Sequence, residues 1–498
     1  MSTWSRREFV RSLGLGAAVL ACPSAISSRP SPGDSPNILF IAVDDLNDWV
    51  NCLGGRRGMH TPNMDRLAQR GVLFTNAHCS APACNPSRAS LMAGIRPTTS
   101  GVYANTQIWR DSPVLKDAVT IPEYFRAHGY RTTGGGKIFH ALNWIWTGYG
   151  RDLNDPKCWD EYFPSKSRQI PDEYWPNQEV KVLPGEVVAK PMTRGDKDGP
   201  RPPWYFDWAP IDVPDEKLSD YRVADYVIAE IGKKHDRPFF LAAGIFKPHI
   251  PWYVPRKYFD LYPLDSIELP KVKGDWMTGT PPAGREIGAE RRKWHRWVTA
   301  NDQWKQAIQG YLAGISFADA MIGRILDALD RSPHAASTII VLWSDNGFHL
   351  GERETWEKFT LWEESTRIAL MISAPGVTRP GGTCPRPVSL LDIYPTLVEL
   401  SGGKPGPSLE GTSLVPLLRD PRAASSRAVV TTWLQHHAVR SERWRYIRYG
   451  DGSEELYDHE GDPGEFTNLA GKTELAATRR QLARWLPQVK IPVSPNTR

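Results

Sequence analysis

Pro36-Asn37-Ile38-Leu39-Phe40-Ile41-Ala42-Val43 is an unbroken run of β-branched and aromatic residues that stops at Asp44-Asp45. A strand with one wet face alternates polar and apolar residues. A run without alternation is buried on both faces, as central strands of helix-covered parallel sheets are. Two later runs have the same form. Pro238-Phe239-Phe240-Leu241-Ala242-Ala243-Gly244-Ile245 leads into Phe246-Lys247-Pro248-His249, and residues 337–343 lead into Ser344-Asp345-Asn346-Gly347. Between these runs, helical spacing appears at residues 65–70, 122–128, 221–233 and 307–329. Shorter strand signals lie at 72–74 and 130–133, the second running into Gly134-Gly135-Gly136-Lys137. Strand and helix in alternation predict an α/β fold with a large, mostly parallel mixed sheet flanked by helices. In such sheets functional groups collect at the carboxyl ends of the strands. Asp44, Asp45, Lys137, His249, Asp345 and Asn346 all follow predicted strands, so one shared site is expected.

The rest of the chain sets the frame. Its 498 residues suffice for one large domain and a smaller one. A net charge of +5 without a basic run argues against nucleic acid as a partner. Arg6-Arg7 ahead of a short apolar stretch resembles a twin-arginine export signal, too short to span a bilayer. Residues 19–22 also resemble a lipoprotein box with Cys22 as acceptor. The predicted plan is therefore export signal and linker (1–35), catalytic domain (36–400) and C-terminal subdomain (401–498), the last a small antiparallel sheet with a closing helix at 476–486. An exported, periplasmic or secreted location follows. Cys52, Cys79, Cys158 and Cys384 are too scattered for a disulfide framework and are expected to be free thiols. Residues 143–220 show little periodicity and read as binding loops.

Cys84-Asn85-Pro86-Ser87-Arg88 follows the turn-prone Ser80-Ala81-Pro82-Ala83 and opens a predicted helix. Free N–H groups at a helix start suit anion chemistry. Taken alone, such a cysteine is more often a structural thiol. Asp44-Asp45 and Asp345-Asn346 offer hard oxygens, which suit Ca²⁺ or Mg²⁺ rather than zinc or copper. Taken alone, each pair is a turn or a helix cap. Lys137 and His140, three residues apart, and Lys358 can neutralise an oxyanion. His249, flanked by Pro248 and Pro251, has the pKa class for protonating a leaving alkoxide.

Together these strings resemble the type I sulfatases of the alkaline phosphatase superfamily, from about residue 36 to about residue 469. Within that family the iduronate-2-sulfatase-like branch is nearest, on Val43-Asp44-Asp45-Leu46, Trp109-Arg110, Gly136-Lys137-Ile138-Phe139-His140, Lys247-Pro248-His249-Ile250-Pro251 and Ser344-Asp345-Asn346-Gly347. Asn346 stands where some members have His. The resemblance implies that Cys84 is oxidised to formylglycine by a formylglycine-generating enzyme. It also implies a metal, Ca²⁺ or Mg²⁺, held by Asp44, Asp45, Asp345, Asn346 and the modified Cys84. Arg88 would hold the aldehyde hydrate, Lys137 and Lys358 the sulfate oxygens. His249 would protonate the leaving group, and His140 would take the second proton. The implied substrate is a sulfated carbohydrate, with Trp109 and Arg110 as candidate sugar contacts together with the 143–208 loop and the segment 433–437. Two alternatives stand beside this reading: a phosphonate or phosphodiester hydrolase of the same superfamily, and an inactive carbohydrate-binding homologue.

Overall fold

In a computed structural model, residues 35–141, 152–171, 206–274, 276–488 and 491–493 are described. The export segment with Cys22 and most of the 143–208 loop lie outside them. The opening apolar run is strand β1 (Asn37–Val43), buried along its whole length. With β2 (Val72–Phe74), β3 (Arg131–Gly136), β4 (Glu161–Phe163), β5 (Phe239–Ile245), β6 (Thr338–Ser344), β7 (Leu370–Ser373) and β8 (Gly382–Cys384) it forms an eight-stranded sheet in the order β8-β2-β7-β6-β1-β5-β3-β4. β1 pairs in parallel with β5 and β6, and β3 in parallel with β5. Only β7 runs against its neighbours. The predicted mixed, mostly parallel sheet is the one observed.

The period of two in β1 divides its side chains between two cores. Leu39, Ile41 and Val43 pack with helices α1 (Pro62–Arg70), α4 (Ser219–Ile231) and α5 (Trp304–Asp330). Ile38, Phe40 and Ala42 pack with α2 (Cys84–Ala93), α3 (Ile121–Ala127) and α6 (Ile393–Leu400) on the other face. The sandwich explains why the run never alternates in polarity. The layers are also tied by polar groups. Thr61 gives α1 no side-chain cap. Asp319 of α5 takes over, accepting the N–H groups of Asn63 at 3.1 Å and Met64 at 2.8 Å.

The triple glycine, read above as the end of a strand, lies inside β3. A side chain at Gly134 would stand 3.0 Å from Ala242 Cβ. Gly136 has φ +77°, and a Cβ there would lie 1.9 Å from the carbonyl oxygen of Gly244. Close approach of β3 to β5 requires glycine at this point, and that approach brings Lys137 level with the end of β5.

The C-terminal region is a four-stranded antiparallel meander, Val429–Trp433, His436–Arg440, Trp444–Arg448 and Glu454–Asp458. Helix α7 (Ala476–Ala483) packs against it through Leu482. Residues 401–428 still belong with the main body: Leu414, Leu417 and Leu418 sit in the β1-side core with Phe40. The seam between the two parts holds buried charge. Arg445 pairs with Glu363 and, at 2.5 Å, with Glu465, and its Nη1 donates to Leu361 O at 3.0 Å. His459 Nε2 stands 2.9 Å from Glu465. Cys52, Cys79, Cys158 and Cys384 are free, as expected, and Cys84 is likewise outside any disulfide. No helix among those residues is long and apolar enough to cross a membrane.

Two predictions follow from this packing. Gly136→Ala is expected to lower stability by about 2 kcal/mol or more, because the methyl group meets backbone and φ is left-handed; an unchanged urea midpoint would contradict the close approach. The second concerns pH. Burial pushes His295 down to about 4 and His349 down to about 3. Their contribution is complete above the unfolded value near 6.5 and drains away as pH falls toward the folded values, by about 1.4 kcal/mol per unit for each ring. His295→Gln is expected to flatten the loss measured by urea unfolding between about pH 7 and about pH 5; a slope equal to that of the wild type would refute it.

Candidate active site

Strand register brings the predicted residues together. Val43 is level with Ile245 on one side and Ser344 on the other, and Gly136 is level with Gly244. Asp44, Lys137 and Asp345 therefore leave the sheet at one edge. Asp45 turns back with φ 57°. Its N–H donates to Asp345 Oδ1 at 3.1 Å, and its carbonyl accepts from Tyr311 Oη at 2.8 Å. Ser344 Oγ accepts from Leu46 N and donates to Asn346 O, both at 3.0 Å.

Cys84 is the first residue of α2, a helix buried at all ten positions. Pro86 falls in the first turn, where a backbone N–H has no helical partner to lose. Arg88, four residues on, lies on the same face one turn deeper. Its Nη2 meets Asp44 Oδ1 at 3.0 Å, its Nε meets Asp345 Oδ2 at 2.7 Å, and its Nη1 donates to Lys137 O at 2.6 Å. Lys137 Nζ is 2.5 Å from Asp44 Oδ2, and Lys358 Nζ pairs with Asp45 Oδ1. The Cys84 thiol sits among them, 2.8 Å from Lys358 Nζ, 3.7 Å from Lys137 Nζ and 3.6 Å from Asp44 Oδ1. Three carboxylates and three cations thus surround one sulfur with almost no solvent exposure.

Burial opposes ionisation of Asp44, but the charges of Lys137, Arg88 and Lys358 outweigh it and hold the carboxyl far below the usual range. Burial, reinforced by Asp345, pushes the Cys84 thiol well up. A neutral, buried thiol is a poor nucleophile. Burial and the nearby Lys137 and Lys358 keep His140 and His249 well below the ordinary histidine range. His249 Nδ1 lies 2.7 Å from the Ile250 carbonyl, which can only accept, so Nδ1 carries the proton, and Nε2 lies 3.7 Å from Asp45 Oδ2. Both ring nitrogens of His140 are buried without a hydrogen-bond partner among the described residues.

The donor set fits a hard divalent cation. Ligand atoms of Asp44, Asp45, Cys84 and Asp345 all lie within 4.8 Å of one another. Asp45 Oδ2 and Asn346 Oδ1 are buried oxygens with no hydrogen-bond donor among the described residues. Such atoms are costly unless a cation or donor meets them. Oxygen donors of this kind suit Ca²⁺ or Mg²⁺.

Several positioning residues carry no sequence signal. Gln169 Oε1 accepts the N–H groups of Ile138 at 3.0 Å and Phe139 at 2.8 Å, fixing the turn between Lys137 and His140. Asp220 accepts those of Phe246 at 2.7 Å and Lys247 at 2.9 Å, fixing the approach to His249. These are lone amide and carboxylate side chains inside unremarked segments. Trp109 and Arg110 lie elsewhere. Trp109 is buried, stacked on Phe139 at 5.2 Å, with its Nε1 on Leu153 O. Arg110 is held by Asp155 and Glu123 and by two backbone carbonyls. The pair braces the Phe139 segment, and the Arg110 side chain keeps 21% of its surface open. The 143–208 loop lies largely outside the described residues, and its Trp208 is buried.

Comparison with known proteins follows this geometry. The sulfatase family model matches residues 36–403, and that of the N-sulphoglucosamine sulphohydrolase C-terminal region matches residues 351–491. A sulfatase of Formosa agariphila is 38% identical over 95% of this chain and 91% of its own. Iduronate 2-sulfatase of Homo sapiens is 31% identical over 78% of this chain and 74% of its own. Among solved structures, a phosphonate monoester hydrolase from Silicibacter pomeroyi superposes with a TM-score of 0.68 at 22% identity, over 90% of this chain and 94% of the other, which speaks for the fold alone. With the family model covering residues 36–403 and sulfatases aligned along most of the chain, this protein belongs to the sulfatase family.

Proposed function

We propose that this sulfatase removes sulfate from a sulfated sugar or polysaccharide fragment after Cys84 has been matured to formylglycine by a formylglycine-generating enzyme, with Ca²⁺ as its metal and Mg²⁺ as the alternative. The observation that carries the reading is Cys84 itself: a buried thiol pushed toward its neutral form, yet ringed by three carboxylates and three cations. Such surroundings are wasted on a thiol. They suit a nucleophile and an anionic ester that share one divalent cation.

The metal would be held by Asp44, Asp45, Asp345 and Asn346 and would polarise the sulfate and favour the ionised nucleophile. A geminal diol at position 84 supplies one hydroxyl for attack on sulfur and a second whose proton loss expels sulfate, which neither Ser nor Cys offers. Arg88, fixed by two carboxylates and two carbonyls, orients that side chain. Lys137 and Lys358 bracket the position of Cys84 Sγ and neutralise the sulfate oxygens. His249 offers Nε2 to the departing sugar oxygen. The negative charge of bound sulfate favours the protonated ring that this step needs. His140, buried and neutral, has no ring partner among the described residues, and its unprotonated nitrogen can take the proton of the second hydroxyl. Export by the twin-arginine-like segment, and with it a periplasmic or secreted location, belongs to the same reading: the enzyme acts on carbohydrate outside the cytoplasm.

A phosphonate or phosphodiester hydrolase shares the fold, but the family match and the aligned iduronate 2-sulfatase favour sulfate. An inactive binding homologue would have lost part of the cluster, whereas Asp44, Asp45, Cys84, Arg88, Lys137, Asp345 and Lys358 meet in this chain, which supports the active reading.

The first test is a mass spectrum of the tryptic peptide spanning residues 71–88, expected to carry an aldehyde in place of the Cys84 thiol. Cys84→Ala should lose about a thousandfold or more in sulfate release from nitrophenyl sulfate. Chelation should silence the wild type, with Ca²⁺ restoring it better than Mg²⁺. An intact thiol in an active preparation, or faster turnover of a phosphodiester than of any sulfate ester, would sink the proposal. His249→Ala is expected to lose about a hundredfold on a sugar sulfate and far less on nitrophenyl sulfate, whose leaving group needs no proton; equal losses would remove the acid role from His249.

A further inference from the structure

Beside Lys358, three side chains from three parts of the chain meet in a patch that the chemistry above leaves unused. Phe359 follows Lys358, and its N–H donates to Pro82 O at 3.0 Å. Trp433 ends the first strand of the small sheet. That strand is fixed to the same turn: Thr432 N donates to Ser80 O at 2.9 Å and Thr431 Oγ1 to Cys79 O at 2.6 Å. Both rings are therefore anchored to the turn that delivers Cys84. Their centroids lie 5.2 Å apart at an interplanar angle of 43°. Arg291, from the helix Ala289–Ala300, sets its guanidinium 4.7 Å from the Phe359 centroid. Its Nε donates to Glu357 Oε2 at 3.3 Å.

The partition of exposure matters. Glu357 is 7% exposed, whereas the Arg291 side chain keeps 24% of its surface open. Phe359 and Trp433 are half-buried. Among the described residues, none accepts a hydrogen bond from Nη1 or Nη2 of Arg291. Glu357 thus fixes the orientation of the guanidinium by one edge and leaves the forked edge open. Glu357 is also near the reacting centre: burial raises its pKa, and Arg291, Lys358 and Asp45 each act on it. A guanidinium fork matches a carboxylate or sulfate in two hydrogen bonds, and aromatic faces take the apolar face of a sugar ring.

We propose that Arg291, Phe359 and Trp433 form a subsite for an acidic sugar unit at the scissile sulfate, with Arg291 pairing with a second anionic group on that sugar. This rests on the sulfatase reading above. It makes the C-terminal sheet, through Trp433, part of substrate recognition.

The test compares wild type, Arg291→Ala, Arg291→Lys and Trp433→Ala on nitrophenyl sulfate, a sulfated uronide and a disulfated glucosamine. Arg291→Ala should lower kcat/KM on an acidic sugar about tenfold relative to nitrophenyl sulfate, chiefly through KM. Arg291→Lys should recover part of the loss. Trp433→Ala, at a hairpin tip, should raise KM on the sugars and repeats the test if Arg291→Ala folds poorly. A loss confined to the uronide assigns the partner of Arg291 as a carboxylate; a loss shared with the disulfated glucosamine assigns a second sulfate. Equal factors on all three substrates in an active enzyme would overturn the subsite alone. A wild type that releases sulfate from none of them would overturn the sulfatase reading and the subsite with it.

Discussion

The structure turns on the contact between Arg88 and the two carboxylates of Asp44 and Asp345. These acids end neighbouring parallel strands, and like charges so close repel unless a cation lies between them. The guanidinium has the fork geometry to meet both, and it has no surface exposed. Removing one partner of such a buried set leaves an uncompensated charge, which is far more costly than never having built it. The helix start at Cys84, the edge of the sheet and the charge balance of the site therefore depend on one side chain.

Around that contact the cluster is neutral as drawn, with three carboxylates facing Arg88, Lys137 and Lys358. Neutrality is reached by pairs and not by solvent, since burial removes water from every member. A divalent cation would add positive charge where Asp45 Oδ2 and Asn346 Oδ1 lack donors among the described residues, and an anionic ester would restore the balance. Lysines that now touch carboxylates would then face the ester.

Much of this was legible in the sequence, for a physical reason. A strand buried on both faces admits few polar residues, so an acid at its end marks where the sheet stops, and two such marks, after β1 and β6, fall at one edge. The turn-prone residues 80–83 likewise marked a helix start at Cys84. Other features left no trace. The glycines of β3 read as the end of a strand because propensity disfavours glycine in strands, whereas the close approach to Gly244 demands it. Residue type likewise does not reveal that Asp155 and Glu123 hold the Arg110 guanidinium. Gln169 and Asp220 act through backbone N–H groups, an interaction that residue type does not advertise.

Helix α2 is buried at every position from Cys84 to Ala93. A side chain enclosed at the head of such a helix offers no path for a second protein to grip the surrounding backbone. Any enzyme that rewrites Cys84 must therefore act while residues around it are still extended, ahead of closure of the sheet. Under the proposed maturation, chemistry at Cys84 and folding would compete in time, and a chain that folds first would keep its encoded thiol. The yield of working molecules would then be a matter of kinetics during synthesis, set by how long this one segment stays open.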